Sequence, residues 1–477
     1  MGVTYWSIVF LAMGGCIGSF LNVVIYRWPR DLSLRNPARS FCPQCGHSIA
    51  WRDNIPVISY VLLRGKCRAC HTPISVRYPL VELATALLFV MTYDAMFVSD
   101  MRSGVSWMGA DWPLLIGHWL LWSGLIALSV MDLEAYLVDI RITWLLSAVG
   151  VVMHTFWTPN LSTFQPGGWI RPGVEGSGFA IGVTLGLFVT AWVSLRSRTE
   201  PPLEQCTDEP VIQTETTVAP KSPVAGHIVL AMAIALVTGY MLLLIEPAYA
   251  GVLGLGGDQT GAAVSEQFAV GGARLLAGCA LLFVGLAMVA GEPQPEADVE
   301  IVEAIQAEAP DSRRVVISEL LFLSPALAVG VGILLLCGLV PAVREWLLCA
   351  LIWEPVSELK PVWGMSTGLA GLVVGGAIGW VTRIGFTLVF GKEALGLGDI
   401  HIMAAIGAVA GWPVAFLGFF IAAPLTLLAL VAIAFRRQSR ALPYGPWLAL
   451  GAFIMFIHMD HVLRYLGVRW LFETTLE

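Results

Sequence analysis

The chain has 477 residues, of which 57% are hydrophobic and only 13% are charged, with a mean hydropathy of +0.76. Soluble domains carry about 25% charged residues, so this composition excludes a soluble enzyme and a disordered protein. The formal net charge of −7 leaves no basic excess, and we expect no nucleic-acid partner. Apolar runs of about 20 residues favour membrane helices over a barrel, whose strands would alternate polar and apolar residues.

The apolar runs predict an all-α polytopic integral membrane protein with about 12 transmembrane helices, embedded in the lipid bilayer. The first run, 8–26, is predicted to be a retained span, because residues 1–7 contain no Lys or Arg. The predicted spans are 8–26, 79–98, 113–131, 138–157, 176–196, 224–245, 269–290, 318–341, 365–389, 400–412, 414–435 and 445–460.

Arg and Lys residues are concentrated in the loop 27–78, which places this loop in the cytoplasm. The spans and polar segments divide the chain into five regions in order. They are a first transmembrane helix (1–26), a cytoplasmic loop (27–78), a first group of membrane spans (79–175), a helical module (176–341) and a last group of spans (342–477). Polar linkers at 197–222 and 291–314 lie inside the helical module.

Four of the nine cysteines lie together in the basic loop, as Cys42-Pro-Gln-Cys45 and Cys67-Arg-Ala-Cys70. Two such C-x2-C knuckles can present four thiolates to one metal ion in a tetrahedral site. In a reducing cytoplasm this pattern predicts a structural zinc site, because four protein ligands leave no open position for water. Two disulfides or a redox-active C-x2-C pair are the alternatives.

Two aspartates lie at the ends of apolar runs that are far apart in the sequence. Asp132 follows one run, and Asp399 begins another, directly after Gly396-Leu-Gly398. The predicted topology places both at the cytoplasmic face and at the same depth, where two carboxyl groups can share one proton. One then activates water while the other polarises a peptide carbonyl, which is aspartyl proteolysis. The two glycines would let the backbone enter the helix sharply and let a substrate strand come close.

Each acidic residue here also has an ordinary interpretation. Asp399 can cap a helix N-terminus, and Asp132 can be an interfacial residue in water. Glu134 and Asp139 flank the turn after Asp132, where they would either bind a basic peptide or tune the catalytic carboxyl. For these two we favour the interpretation that they are solvated loop carboxylates.

Six further stretches carry a resemblance to a known family. They are Gly18-Ser-Phe-Leu-Asn-Val-Val-Ile-Tyr-Arg27, Asn54-Ile-Pro-Val-Ile-Ser59, Arg64-Gly-Lys-Cys-Arg-Ala-Cys70, Arg77-Tyr-Pro-Leu-Val-Glu-Leu-Ala-Thr-Ala86, Gly391-Lys-Glu393 with Gly396-Leu-Gly398-Asp399, and Pro443-Tyr-Gly-Pro446. With these motifs the chain resembles the type IV prepilin leader peptidase family over about 1–157 and 365–460. The resemblance implies that Asp399 is the catalytic aspartate of a GxGD motif and that Asp132 is its partner.

The same resemblance implies a multi-pass protein of the bacterial inner membrane with its active site facing the cytoplasm. The implied substrates are prepilins or pseudopilins, cut after a glycine that ends a basic leader. S-adenosylmethionine would then serve to methylate the new N-terminus. The alternatives are a presenilin-like or preflagellin-peptidase-like GxGD protease and a non-catalytic protein of pilus or secretion assembly. The resemblance also implies that 176–341 is an inserted helical module, which separates the first half of the family's membrane core (79–175) from the second half (342–477). Val138, Ala394 and His401 depart from the family pattern, as does this insert.

Overall fold

The computed structural model describes residues 2–36, 39–99, 101–102, 104–105, 107–157, 174–197, 274–283, 285, 312–353, 358–359, 361–391, 395–435 and 442–465, with isolated residues between 233 and 241. These residues are mainly helical. The helices are α1 (Gly2–Arg27), α2 (Ile58–Leu62), α3 (Arg77–Tyr93), α4 (Met108–Ala135), α5 (Ile140–Phe156), α6 (Val174–Ser197), α7 (Arg274–Phe283), α8 (Ser312–Leu339), α9 (Pro341–Leu351), α10 (Pro361–Phe390), α11 (Leu397–Ala410), α12 (Trp412–Phe435) and α13 (Gly445–Tyr465).

Short elements complete the described chain. Trp28–Arg30 and Trp51–Asp53 form single 3₁₀ turns, and a π-helical turn at Asp94–Val98 extends α3. Ile352–Trp353 (β1) pairs antiparallel with Glu358–Leu359 (β2).

Six helices among the described residues are long and apolar enough to cross a membrane, judged by length and composition. They are Gly2–Arg30, Arg77–Val98, Met108–Ala135, Val316–Leu339, Gly364–Phe390 and Trp412–Val431. Shorter apolar helices lie between them. The prediction of an all-α, multi-pass protein is thereby confirmed, whereas the count of about 12 spans stays a prediction. The span 224–245 and the linkers 197–222 and 291–314 lie almost entirely outside the described residues.

Glycines allow the core helices to approach closely. A Cβ on Gly14 would lie 2.7 Å from Cα of Ala86, and a Cβ on Gly18 would lie 2.6 Å from Cα of Glu82, so α1 and α3 are in backbone contact. The glycine-rich run 364–379 of α10 meets backbone atoms of α5 and α11 in the same way. Membrane helices associate through such small residues because the hydrophobic effect does not drive helices together inside lipid, so close packing has to supply the attraction.

Buried polar contacts join the predicted inserted module to the rest of the bundle. Arg274 of α7 forms an ion pair with Asp94 at 2.7 Å, and the hydroxyl of Tyr240 donates to the same carboxylate at 2.5 Å. Within the module, α6 packs on α8 where Gly186 faces Ala326. The described part of the module is therefore packed against the core.

Candidate active site

Two carboxyl groups from distant parts of the chain converge at the N-terminus of α13. Asp132 lies in the last turn of α4 and Asp399 in the first turn of α11, and both are buried. A Cβ on Gly445 would lie 2.7 Å from Oδ2 of Asp132 and 3.5 Å from Oδ1 of Asp399, so the two oxygens are no farther apart than the sum of these distances. The two side chains are close enough to interact electrostatically.

Asp132 is placed by the way α4 ends. Tyr136 adopts a left-handed conformation with φ 50°, and its backbone N–H donates to the Asp132 carbonyl at 3.0 Å. A short turn follows, and α5 begins after Asp139, whose carboxylate accepts from the Arg141 N–H at 2.9 Å. This tight connection fixes the Asp132 side chain at the end of the bundle.

Asp399 is placed by the two glycines that precede it. Gly396 has an extended backbone and caps α11, and its N–H faces the Asp399 carboxylate. A Cβ on Gly398 would lie 2.5 Å from Cβ of Val138, in the turn between α4 and α5. The missing side chain of Gly398 therefore permits close contact with another part of this chain, the α4–α5 turn. This contact brings the two aspartates together.

The two flanking acidic residues are held by cations. Arg77 at the start of α3 pairs with Glu134, and Arg141 pairs with Asp139 at 2.7 Å. The Asp139 side chain is only 5% exposed and caps α5. Glu134 lies inside α4 and is one-third exposed. Asp139 is thus buried and paired, contrary to the solvated interpretation, and Glu134 ties the C-terminal end of α4, which carries Asp132, to α3.

The four predicted metal ligands lie together. Their sulfur atoms are all within 4.8 Å of one another, and the Sγ atoms of Cys42 and Cys70 are 3.9 Å apart. Four thiolates at about 2.3 Å from a tetrahedral zinc ion would be about 3.8 Å apart, whereas a disulfide needs about 2.05 Å. The cluster formed by Cys42, Cys45, Cys67 and Cys70 could therefore hold a metal ion.

The two knuckles have the same backbone. In each one, the residue after the second cysteine donates to the carbonyl of the first, Gly46 to Cys42 at 2.9 Å and His71 to Cys67 at 3.0 Å. Both residues have positive φ, 67° and 59°. Hydrogen bonds from the hydroxyl and the N–H of Thr72 lower the pKa of the Cys70 thiol to about 6, whereas hydrogen bonds with the other three cysteines help to raise the pKa of Cys45 to about 11. Without a metal ion the thiolate is therefore favoured at Cys70 and disfavoured at Cys45.

Polar contacts dock the cysteine loop on the membrane core. The Val57 N–H donates to Oε2 of Glu82 in α3 at 2.7 Å, and the guanidinium of Arg27 at the end of α1 donates to the Leu34 carbonyl at 3.1 Å. Arg141, beside the α4–α5 turn, donates to the carbonyl of Trp28 at 3.4 Å. The cysteine loop and the aspartate pair therefore lie at the same end of the bundle.

A cavity of about 420 Å³ lies between α1, α3 and the cysteine loop. Tyr26, Phe41 and Tyr60 contribute aromatic rings to its lining, and Glu82 contributes a carboxylate. Oδ1 of Asn22, another lining residue, is buried and accepts no hydrogen bond from the residues that the structure describes. The cavity thus offers an acceptor, an acid and aromatic faces to a ligand with N–H donors or positive charge.

Two residues of the site were not predicted as site residues. Gly445 occurs in Pro443-Tyr-Gly-Pro446, but only the fold reveals that a side chain there would collide with Asp132. Arg383 interrupts an apolar run, which is itself a signal of function in a membrane segment. Its guanidinium donates to the carbonyl of Leu395, just before the Gly396-Leu-Gly398-Asp399 turn.

Comparison with known proteins agrees with the motifs. Residues 12–96 match the family described as the Bacterial Peptidase A24 N-terminal domain. The chain is similar to "Prepilin leader peptidase/N-methyltransferase" of Myxococcus xanthus, with 44% identity over 29% of this chain and 37% of that protein. Proteins of the same name from Klebsiella pneumoniae and Vibrio cholerae are 37% and 36% identical over 31% and 29% of this chain, and over 62% and 53% of their own lengths.

The resemblance to the type IV prepilin leader peptidase family is thereby confirmed. The chain matches less than two thirds of the length of each of these relatives. No solved structure matches the chain.

Proposed function

We propose that this chain, a relative of the prepilin leader peptidases whose residues 12–96 match the bacterial A24 peptidase N-terminal domain, is a membrane aspartyl endopeptidase that removes the leader from type IV prepilins or pseudopilins. The observation that carries the proposal is the convergence of Asp132 and Asp399 beside Gly445. Two buried carboxyl groups so close together disfavour double ionisation, so that one proton is shared between them.

In the proposed reaction the ionised carboxylate removes a proton from water as its oxygen attacks the scissile carbonyl carbon. The protonated carboxyl group donates to the carbonyl oxygen and supports the tetrahedral intermediate. The proton taken from water then passes to the leaving amine as the C–N bond breaks. As the intermediate collapses, one of its hydroxyl groups returns a proton to the second carboxylate, so both carboxyl groups end in their own starting states.

The proposed orientation places this chemistry at the cytoplasmic face of the bacterial inner membrane. The cysteine loop is rich in Arg and Lys, which favours the cytoplasm, and it lies at the same end of the bundle as the aspartate pair. A prepilin would present its apolar helix from the bilayer and its basic leader from the cytoplasm. Cleavage would follow the glycine that ends the leader.

The proposal is tested with the full chain in lipid vesicles and a prepilin-type substrate. Asp132→Asn and Asp399→Asn are each expected to abolish leader cleavage, because neither variant can cycle a proton between two carboxyl groups. The control is Asp111→Asn, since Asp111 is also buried in α4 but bonds Trp107 and Trp157 at the other end. Asp111→Asn should fold and cleave, whereas normal cleavage by either catalytic variant would refute the proposal.

We further propose that the cysteine cluster holds one structural zinc ion and that the adjoining cavity binds S-adenosylmethionine, which would supply a methyl group for the new N-terminus. The residues of the cluster and those of the cavity suit these two ligands. Four clustered thiols match zinc. The unpartnered oxygen of Asn22, the carboxylate of Glu82 and the aromatic rings match a ligand that carries amino groups and a sulfonium charge. A presenilin-like protease would have no use for the cysteine cluster.

A further inference from the structure

A chain of buried contacts connects the predicted inserted module to the turn that carries Asp399. Glu319, in α8, accepts a hydrogen bond from Nε of Arg383, in α10, at 2.7 Å. Their side chains are 10% and 4% exposed. Nη1 of the same guanidinium donates to the carbonyl of Leu395. One cation therefore joins the module to the entrance of α11.

The contacted carbonyl belongs to the peptide group that also serves the catalytic aspartate. The Leu395 carbonyl and the Gly396 N–H are the two ends of one planar unit, and the N–H end faces the Asp399 carboxylate. The Arg383 guanidinium binds the oxygen of this peptide group and the Asp399 carboxylate faces its N–H. Together the two contacts fix the orientation of the peptide plane. Hydrogen bonds arranged in series also polarise one another.

We propose that Arg383 is a positioning residue, which orients the Leu395–Gly396 peptide so that Asp399 is presented to Asp132, and that Glu319 holds Arg383 in this position. The inference rests on the proposed function, because it assigns a purpose to these contacts only if Asp399 is catalytic. Arg383 does not touch the reacting atoms and acts through the peptide. The inserted module thereby contributes to the geometry of the active site.

A positioning role predicts a loss in turnover and not in substrate binding. The prepilin helix would bind along the bundle, whereas the Leu395–Gly396 peptide group sets only the position of the Asp399 carboxyl group. A misplacement of about 1 Å at reacting groups costs about 100-fold in rate. A pair that only joined two helices would change stability and leave the turnover of the folded enzyme intact.

The decisive variant is the full chain with Glu319→Leu and Arg383→Met together. Replacing both members of a buried ion pair by apolar residues is often neutral for stability, whereas removing one leaves an unpaired charge. In vesicles with a prepilin-type substrate, we expect kcat to fall by about 10- to 100-fold while KM is unchanged. Arg383→Lys should give an intermediate kcat, because an ammonium group has no planar fork to bridge Glu319 and Leu395.

The matched control is Asp94→Leu with Arg274→Met, which removes a second buried ion pair between the module and the core. This variant should keep the kcat of the wild type. Wild-type kcat in the Glu319→Leu/Arg383→Met variant, or equal losses in both double variants, would overturn the positioning role. If the first double variant does not fold, an unchanged kcat in Arg383→Lys overturns it instead. Failure of the wild-type chain to cleave would refute the proposed function separately.

Discussion

At the scale of single residues, the candidate site depends on two glycines, because a side chain at either position would collide with a neighbouring residue. Gly398 lets α11 approach the α4–α5 turn, since a Cβ there would lie 2.5 Å from that of Val138. Gly445 leaves room for the Asp132 carboxylate. The candidate active site therefore depends on the missing side chains of these two glycines as well as on the two aspartates.

Gly398→Ala tests this dependence. The added methyl group must push Val138 away and thereby separate the two aspartates, at a cost of about 1–3 kcal/mol in stability. Because the carboxyl groups move apart, we expect cleavage to slow by about 10- to 100-fold in a prepilin assay. The control is Gly332→Ala in α8, where an added Cβ meets no atom within 4 Å. Equal activity of the two variants would contradict this account.

At the scale of elements, the cysteine loop is a small unit packed on α1 and α3, and its four clustered thiols could hold a metal ion. Metal analysis of the purified chain should find about one zinc per molecule. Cys45→Ser should lose that zinc and make the loop sensitive to protease, because the knuckles have no large core of their own. The loop also forms one wall of the cavity, so transfer of a labelled methyl group should be lost as well.

A matched variant separates metal loss from a general effect of removing a thiol. Cys16→Ser changes an exposed cysteine of α1 that lies outside the cluster, and it should retain zinc and methyl transfer. Zinc bound to the Cys45→Ser variant at the wild-type level would show that the cluster is not the metal site.

Elements defined by local pattern could be predicted from the sequence, and those defined by tertiary contact could not. Apolar runs and paired C-x2-C motifs located the helices and the cysteine cluster, because hydropathy and knuckle geometry are local properties. The run 400–412 was predicted to be a span, whereas the helix there, α11, begins earlier, at Leu397, ends at Ala410 and is buried on nearly every side. Asp399 consequently lies inside the first turn of the helix. The roles of Gly445 and Arg383 depend on helices that meet only in the fold.

At the scale of the whole molecule, buried charged side chains join the predicted inserted module to the core. Arg274 also donates to Ser99 at 2.9 Å, and Ser99 donates to Asp94 at 2.6 Å, so the ion pair between Arg274 and Asp94 belongs to a connected network. Such a network is rigid when every polar group in it has a hydrogen-bond partner, and removing one member lowers the stability of the fold. The module should therefore unfold together with the core.

Arg274→Met is expected to lower the free energy of unfolding by about 3–5 kcal/mol, because it leaves the Asp94 carboxylate buried without its cation. Adding Asp94→Leu should restore most of this loss, since the uncompensated charge is then gone. The measurement is denaturant unfolding of the purified chain, followed by a signal from the core and one from the module. Coincident transitions in the wild type are expected. If the single variant were as stable as the double variant, the ion pair would not be what fastens the module to the core.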